Sequence, residues 1–214
     1  MRVECIDHMG DDMTVVNAAR VSFNKESNFD AGGGVPTKDK KLIKYLARHG
    51  HWTPFAHCFL QFRIKAPLFV ARQLVKHQVG LTWNEVSRRY VNDEPEFYTP
   101  LSWREKPKDS KQGSSGEATS QYFPSLYLEE VVAYAKANYK KMIQQGIAPE
   151  MARMILPQNM MTEWYWSGSL MAFARVVKQR TDPHTQLETQ EIASQIETYC
   201  HVLFPHSWEA LMEN

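Results

Sequence analysis

The segment 71–90, ARQLVKHQVGLTWNEVSRRY, combines basic, imidazole, amide and hydroxyl side chains that suit an anion-binding site. Gln73 and His77 are four residues apart, so a helix would place them on one face. We expect that helix to end near Gly80 and a polar loop to follow it. The loop side chains are Thr82, Asn84, Glu85, Ser87, Arg88 and Arg89. Guanidinium and hydroxyl donors can hold a nucleotide phosphate. A solvated basic helix face followed by an ordinary turn is the alternative.

Three histidines lie close together in RHGHWTPFAH, residues 48–57. Their spacing matches no standard zinc pattern, and no cysteine or carboxylate lies among them, which argues against a metal site. Two interpretations stay open. The segment is either a helix end followed by a structured loop, or a loop whose His and Thr donors face a bound ligand.

Two further clusters carry charged groups on apolar segments. Arg153 lies in PEMARMILPQNMMTEWYW, where an arginine needs either a ligand anion or a buried ion pair. The segment 173–188, FARVVKQRTDPHTQLE, places cations at a helix C-terminus, where they are favoured in any case. Asp182 and His184 follow, but no serine or cysteine is marked as a nucleophile beside them, so a hydrolase is poorly supported.

The elements that must position these residues begin with a strand over residues 1–7 and a helix capped by Asp11 or Asp12. The expected buried side of that helix comprises Val15, Val16, Ala19 and Val21. A loop over 24–35 follows, and Thr37 is expected to cap a second helix that ends at Gly50. The apolar face of the second helix comprises Leu42, Ile43, Tyr45 and Leu46.

Alternation over residues 57–65 predicts a half-buried strand, with Cys58, Leu60, Phe62 and Ile64 on its inner face. Pro67 then suits the first turn of the next helix, and the Lys-, Ser- and Gly-rich segment 105–120 predicts a mobile loop. The last third is predicted to be helical over 126–145, 148–156, 161–179, 186–203 and 206–213. The sequence therefore predicts a single α+β domain over 1–214, with a small, mainly antiparallel sheet and many helices.

Composition narrows the function classes. The 214 residues are 43% hydrophobic and carry a formal net charge of +1, which does not favour bulk binding to nucleic acid or membranes. The N-terminal residues lack an apolar signal region, and no apolar run is long enough to span a bilayer. Cys5, Cys58 and Cys200 form neither a disulfide framework nor a metal motif, so we expect a cytoplasmic protein.

The segment 71–90 resembles the signature of the flavin-dependent thymidylate synthases. That signature consists of an Arg-His-Arg triplet, a spacer of seven residues and a Ser. An Asn-Glu pair lies just before the Ser, and an Arg-Tyr pair follows it closely. Here Lys76-His77-Gln78 stands for the triplet, Ser87 matches the Ser, and Arg89-Tyr90 matches the Arg-Tyr pair. The spacer between Gln78 and Ser87 has eight residues, one more than usual.

The resemblance extends over most of the chain in the family's order. The matching segments are 17–23, 50–57, 65–73, 96–100, 151–157 and 180–190. Lys76 keeps the positive charge of the arginine it replaces but loses the planar guanidinium that can donate two parallel hydrogen bonds. Gln78 keeps N–H hydrogen-bond donors but loses the charge. Ser169, Met171 and Arg175 stand where the family usually has Asn, Arg and Asn near the flavin. These departures leave room for a variant product.

The resemblance implies an α+β fold, a homotetramer with shared active sites, and FAD, dUMP, 5,10-methylenetetrahydrofolate and NADPH as its ligands. It implies an FAD set made of Ser22, His51, Thr53, Lys76, His77, Gln78, Val79, Glu85, Ser169 and Arg175. It implies a dUMP set made of Gln73, Glu85, Ser87, Arg88, Arg89, Arg153 and Arg180.

Two members of the dUMP set are the expected catalytic residues. Arg180 would polarise a uracil carbonyl as negative charge develops. Ser87 would act as a phosphate donor rather than as a covalent nucleophile, because an unactivated serine needs an oriented base. Arg89 and Arg153 would be the phosphate partners.

Three other functions stay open at this point. The first is a related flavin enzyme that delivers a hydroxymethyl group to a pyrimidine nucleotide. The second is a nucleotide-binding protein that has lost turnover. The third is a metal-dependent enzyme built on the histidine cluster.

Overall fold

The computed structural model describes residues 1–91 and 93–214, and within them it shows an α+β fold, as expected. The four strands are β1 (Arg2–Met9), β2 (Phe59–Pro67), β3 (Leu81–Glu85) and β4 (Met161–Ser169). They form one antiparallel sheet in the order β1-β2-β4-β3. The first four helices are α1 (Asp12–Arg20), α2 (Thr37–Arg48), α3 (Leu68–Leu74) and α4 (Tyr122–Gln144). The other four are α5 (Pro149–Ala152), α6 (Leu170–Arg180), α7 (Leu187–Leu203) and α8 (Pro205–Met212).

Strand β2 confirms the alternation in its sequence. Leu60, Phe62 and Ile64 are buried, whereas Phe59 is exposed and Gln61 is partly so. Phe62 pairs with Trp166 of β4 in the register and packs edge-on against Phe173 of α6 at 5.0 Å. The period of two residues therefore identified both the strand and the face that meets the helices.

The predicted helix over 161–179 is wrong in its first half, because residues 161–169 form β4. Trp164 and Trp166 are buried on one face, and Tyr165 between them is exposed. These large aromatics favour a pleated, half-buried position between β2 and β3. Only then does α6 begin, with the Ser169 hydroxyl accepting the hydrogen bond of the Ala172 N–H.

The helix expected to reach Gly80 ends earlier, since α3 stops at Leu74. The chain reverses through residues 75–80, which we name the His77 turn, and Gly80 has a φ of +76° that favours glycine. The expected loop over Thr82, Asn84 and Glu85 is instead the edge strand β3. The early end of α3 and the strand in place of a loop have one cause, because pairing with β4 requires the chain to turn and then extend.

At the N-terminus the strand and the first cap are confirmed. Asp11 caps α1, and its carboxylate and Thr14 form a capping box. Val15 and Val16 are buried, but Val21 is 71% exposed because α1 ends at Arg20 and a 3-10 turn carries Val21 outward.

Helix α2 differs from expectation in its cap and in one face residue. Pro36 occupies the capping position and Thr37 is the first helical residue, without a side-chain cap. Ile43 and Leu46 are buried, whereas Tyr45 is 53% exposed and stacks on His49. Gly50 ends the segment with a φ of +68°.

The C-terminal helices α7 and α8 agree with the prediction, and α4 begins earlier than expected, at Tyr122. The predicted helix over 148–156 is α5 followed by a 3-10 turn at Arg153–Ile155. The segment 105–120 forms bends, with an isolated bridge between Arg104 and Glu117. No helix among the described residues is long and apolar enough to cross a membrane.

Candidate active site

The end of α6 meets the His77 turn through the guanidinium of Arg180. Its Nε donates a hydrogen bond to Nε2 of His77 at 2.9 Å, and its Nη2 donates to the main-chain carbonyl of Gln73 at 3.2 Å. Burial lowers the pKa of Arg180, but a guanidinium stays charged at neutral pH. Two predicted site residues of α3 and its turn are therefore joined to the expected catalytic arginine.

Arg180 lines a cleft of about 790 Å³, which we name the Arg180 cleft. Its walls include Gln73, Gln112, Gly113, Arg180, His184 and Gln186. The Gln73 amide donates to Oε1 of Gln186 at 2.8 Å, which fixes the start of α7 against α3. The size of the cleft lies within the range of small-ligand sites.

A largely buried ion pair joins the segment before α4 to the first turn of α7, next to Gln186 of this cleft. Nη2 of Arg104 donates to both carboxylate oxygens of Glu188 at 2.8 Å. Burial alone would raise the pKa of Glu188, but the hydrogen bond and charge of Arg104, together with hydrogen bonds from its own backbone and from Gln186, hold the pKa below its ordinary value. Burial, and then the Glu188 charge, raises the pKa of Tyr98 to about 12. The segment that carries Gln112 and Gly113 is thereby anchored beside Arg180.

Asp182 and His184 form a local pair at the rim of the Arg180 cleft. Asp182 Oδ1 accepts from the backbone N–H of His184 at 2.8 Å and lies 3.0 Å from its Nδ1. The backbone hydrogen bond of His184, and then its side chain, lowers the pKa of Asp182. Both side chains are exposed. The pair therefore closes a turn between α6 and α7, and within the described residues neither side chain has a serine or cysteine among its hydrogen-bond partners.

Two glycines allow the His77 turn to lie directly on β4. A side-chain carbon on Gly168 would lie 2.3 Å from the carbonyl oxygen of Gly80, so the close approach requires glycine there. One at Gly80 would lie 3.5 Å from Ser169 Oγ and 4.0 Å from Nη2 of Arg175. Ser169 and Arg175 of the FAD set therefore lie beside the turn that carries its other members.

The remaining members of the FAD set are on the surface. Lys76, Gln78 and Val79 are exposed on the His77 turn, and His77 is half-buried. Three more members, Ser22, His51 and Thr53, are exposed on other segments. Glu85 is engaged elsewhere, because its Oε1 accepts from the Thr162 hydroxyl at 2.7 Å. The single protomer brings together only part of this set.

A second cleft, of about 500 Å³, lies at the end of β3 and is named the Glu85 cleft. Its walls include Lys65, Glu85, Arg88, Arg153, Thr162 and Glu163. Arg88 donates to the backbone carbonyl of Asp93. The dUMP set is therefore divided, since Gln73 and Arg180 lie at the Arg180 cleft while Glu85, Arg88 and Arg153 lie at this one.

Arg89 and Arg153 approach each other around Glu150. Nε of Arg89 donates to Oε2 of Glu150 at 3.0 Å, and Nε of Arg153 donates to the Glu150 carbonyl at 3.3 Å. Arg153 is exposed on the 3-10 turn after α5, so of its two alternatives, a ligand anion or a buried ion pair, the exposed position does not fit the buried pair. Ser87 is partly buried, and its hydroxyl accepts from the Arg89 N–H at 3.3 Å. Serine and both arginines are thus close in space and accessible.

The histidine cluster is held by stacking. The ring of Tyr45 stacks on His49 at 4.1 Å and on His51 at 6.1 Å. His49 Nδ1 lies 2.9 Å from the carbonyl of Tyr45. Across the described residues, no group of three or more His, Cys, Asp or Glu side chains is placed to hold a metal ion. The chemistry of this segment is that of accessible hydrogen-bond donors.

None of the three cysteines has a nucleophile's surroundings. Burial raises the pKa of Cys58 to about 12, and burial also raises the pKa of Cys200 and of Cys5. All three are free thiols, and Cys58 and Cys200 are buried. A reactive cysteine needs a lowered pKa and access to the substrate.

Sequence reasoning missed Gln112 and Gln186, which line the Arg180 cleft, and the Arg104–Glu188 ion pair beside it. Arg104 and Glu188 are 84 residues apart, so no local spacing could pair them. A partial signal existed for Glu188, since a carboxylate at the start of an apolar helix is favoured by the helix dipole. For Gln112, in a polar and Gly-rich stretch, the sequence offered no signal.

Comparison with known proteins gives a consistent picture. Residues 4–206 match the protein family described as thymidylate synthase complementing protein. The flavin-dependent thymidylate synthase of Thermosipho africanus is 37% identical over 97% of this chain and 89% of its own. The enzyme of the same description from Thermus thermophilus is 37% identical over 99% of this chain and 76% of its own.

Solved structures extend the likeness to the fold. The UMP/dUMP methylase PolB of Streptomyces cacaoi, bound with 5-Br dUMP, superposes with a TM-score of 0.85 at 30% identity. The match covers 99% of this chain and 94% of that one. The same methylase bound with 5-Br UMP gives a TM-score of 0.86 at 29% identity.

Proposed function

The chain belongs to the flavin-dependent thymidylate synthase family, and we propose that it converts dUMP to dTMP by reductive methylation with FAD. In this proposal 5,10-methylenetetrahydrofolate donates the carbon and NADPH is the reductant. The observation that carries it is the Arg180 guanidinium, held by His77 and Gln73 in a ligand-sized cleft. We further propose that residues 1–214 act as one domain, in the reducing cytoplasm that suits three free cysteines.

The donor set around the His77 turn fits a flavin dinucleotide. Lys76 and Arg175 are exposed cations on or beside the turn, and neither forms a salt bridge within the described residues. A pyrophosphate needs such cations together with backbone and amide donors, which the turn and Gln78 supply. Bound reduced flavin would supply the hydride that completes the methyl group. Lys76, His77, Gln78, Val79 and Arg175 would hold it here.

Arg180 would act on the pyrimidine. Uracil C5 is a weak nucleophile, and it becomes stronger when charge can develop on a neighbouring carbonyl. The guanidinium has five N–H donors, and its hydrogen bonds to His77 and Gln73 use two of them. The others can donate to the carbonyl oxygen, in a half-buried position where electrostatic stabilisation is stronger than in water.

The reaction proposed here uses no covalent bond to the protein. A thiolate mechanism requires an accessible cysteine of lowered pKa, and burial moves the pKa of Cys58 and Cys200 in the opposite direction. Ser87 is beside Arg89 and has no base among its hydrogen-bond partners in the described part of the chain. We therefore assign Ser87 to phosphate binding, together with Arg89 and Arg153.

The division of the dUMP set between two clefts supports a shared active site. Gln73 and Arg180 would bind the base in one protomer, and the cations around Glu150 would bind the phosphate in another. Helix α4 supports assembly as well, because it presents an apolar stripe to solvent. The stripe comprises Phe123, Tyr127, Val131 and Tyr134, each more than half exposed. Exposed stripes of this kind mark subunit contacts, and we propose a homotetramer.

A second candidate function is methylation of UMP. It is favoured by one comparison, since the structural neighbour at 30% identity is a UMP/dUMP methylase. Transfer of a hydroxymethyl group is the other variant of the same chemistry, and the replacements at Lys76 and Gln78 keep it open. Both alternatives retain the flavin and the pyrimidine nucleotide.

We expect the purified protein to bind FAD, because the turn and Arg175 present free donors to a pyrophosphate. After addition of FAD and desalting, the flavin absorbance bands should stay with the protein. Anaerobic NADPH should bleach them, and dUMP with methylenetetrahydrofolate should restore them. A colourless protein with no measurable affinity for FAD would contradict the proposed function.

A further inference from the structure

Three hydrogen bonds, two between side chains and one to the main-chain carbonyl of Gln73, join the residues at the base of the Arg180 cleft. Gln186 accepts from Gln73 at 2.8 Å, the Gln73 carbonyl accepts from Arg180 at 3.2 Å, and Arg180 Nε donates to His77 at 2.9 Å. The four residues come from α3, its turn, α6 and the start of α7. His77 is the member of this set that can change charge near neutral pH.

The hydrogen bond between Arg180 and His77 fixes the state of the imidazole. The Nε of arginine always donates, so Nε2 of His77 must offer a lone pair. His77 is therefore neutral in this arrangement, and its proton is on Nδ1. Protonation at Nε2 would remove the acceptor and place a second positive charge against the guanidinium.

The surroundings of His77 favour the neutral form. Burial, and then the charge of Arg180, lowers its pKa from the ordinary value. The His77 turn carries Lys76, α3 carries Arg72, and no carboxylate belongs to α3, the turn or α6. The other cations of α6 are Arg175 and Lys178. On α7, which packs against α3, Glu188 is held by Arg104, and at the rim Asp182 is held by His184.

We propose that neutral His77 is a positioning residue that orients Arg180 toward the pyrimidine, and that its protonation releases Arg180 and slows the chemical step. This inference rests on the proposed function, because it assigns the work of Arg180 to a pyrimidine carbonyl. It gives His77 a role through Arg180 that differs from contact with the flavin.

The sign of the pH effect follows from the hydrogen bond. The acceptor is present while His77 is neutral, at and above neutral pH, and is lost as the pH falls through a pKa below the ordinary value of about 6.5. The turnover number at saturating dUMP should therefore fall on the acid side, without an equal change in the affinity for dUMP.

Two substitutions separate the acceptor from its titration. His77→Gln keeps an oxygen that can accept from Arg180 and does not titrate, so the acid-side fall in kcat per bound flavin should disappear and kcat at pH 8 should exceed that of His77→Leu. His77→Leu removes the acceptor, so kcat should fall about tenfold or more at and above neutral pH and should approach the wild-type value on the acid side. The measurement is kcat per bound flavin across the pH range. His201→Gln, at an exposed histidine of α7, is the matched control and should keep the wild-type profile.

A spectroscopic readout tests the same hydrogen bond without turnover. In protein labelled with ¹⁵N-histidine, the ring-nitrogen resonances of His77 are identified as those that disappear in His77→Gln. At neutral pH they should show a protonated Nδ1 and an unprotonated Nε2. In Arg180→Gln the pKa of His77 should rise, because the opposing charge is gone. A His77 protonated at Nε2 in the wild type would overturn the inference, whether or not the protein forms dTMP.

The kinetic outcomes are equally decisive. A His77→Gln variant with the wild-type acid limb, or a His77→Leu variant with wild-type kcat, would overturn the role of His77 while the proposed function stands. Loss of bound flavin in both variants, with unchanged dUMP affinity, would assign His77 to the flavin and overturn the inference as well. Absence of product from the wild type would contradict the proposed function, and the nitrogen resonances would then decide on His77 alone.

Discussion

Replacing Arg180 by alanine is expected to lower kcat for methyl transfer by about a hundredfold or more. The guanidinium is fixed by His77 and Gln73, so it is oriented before charge develops on the pyrimidine carbonyl. A donor that acts on developing charge contributes more in the transition state than in the ground state, and its loss appears mainly in kcat. Steady-state kinetics at saturating dUMP, with flavin content measured first, gives the comparison.

The matched control for Arg180 is Lys178, an exposed cation that lines the same cleft. Lys178→Ala changes the net charge by the same amount and should leave kcat within a few-fold of wild type. If Arg180→Ala kept the wild-type kcat while its KM for dUMP rose, Arg180 would be a binding residue and its catalytic assignment would be wrong.

Replacing Arg89 by alanine is expected to raise KM for dUMP about tenfold or more and to leave kcat nearly unchanged. A charged hydrogen bond to phosphate contributes roughly 1.5–3 kcal/mol, and it is made equally in the ground and transition states. The present partner of Arg89 is Glu150, and both side chains are about half exposed. Exposed pairs of this kind contribute little, about 1 kcal/mol or less, so phosphate can displace the carboxylate.

Glu150→Gln is the control for Arg89, because it removes the competing charge and keeps the side-chain shape. It should leave KM for dUMP unchanged or lower it. A fall in kcat for Arg89→Ala at saturating dUMP, without weaker binding, would contradict the phosphate role and would exchange the parts assigned to Arg89 and Arg180.

Local pattern predicted the parts of the fold where burial follows a simple period. The inner face of β2 was correct because Leu60, Phe62 and Ile64 alternate with side chains that reach solvent. In β4 the same alternation is present, but α6 follows directly, and the glycine next to the change, Gly168, lies within the strand rather than in a turn. The pattern of residues 161–179 therefore favours one long helix where the structure has a strand and a helix.

The sequence predicted which residues belong to the candidate site, but it did not predict how they are arranged in space. His77, Gln73 and Arg180 were all candidates, yet the hydrogen bond that joins His77 to Arg180 spans 103 residues of sequence. The short turn after α3 exists because Gly80 adopts a positive φ and because Gly168 leaves room for its carbonyl. Such close approaches depend on tertiary packing, which a single sequence does not reveal.

The separation of the Arg180 cleft from the Glu85 cleft could not be predicted from the local sequence pattern either. Residues 71–90 suggested one phosphate-binding segment, whereas the structure directs Gln73 toward α7 and Arg88 toward the end of β3. Strand β3 lies between them and pairs with β4, which moves the two ends of the motif apart.

The central claim is that this protein places a methyl group on C5 of dUMP with a flavin hydride. The most direct test is mass spectrometry of the nucleotide product after incubation with FAD, NADPH, methylenetetrahydrofolate and either dUMP or UMP. We predict dTMP from dUMP, formed only when NADPH and the folate are both present. In D₂O the new methyl group should carry deuterium, because the transferable hydrogen of reduced flavin is on nitrogen and exchanges with solvent. A hydroxymethylated product would contradict the claim, and so would a product formed from UMP but not from dUMP. Unchanged dUMP in a reaction where NADPH has reduced the flavin would contradict it as well.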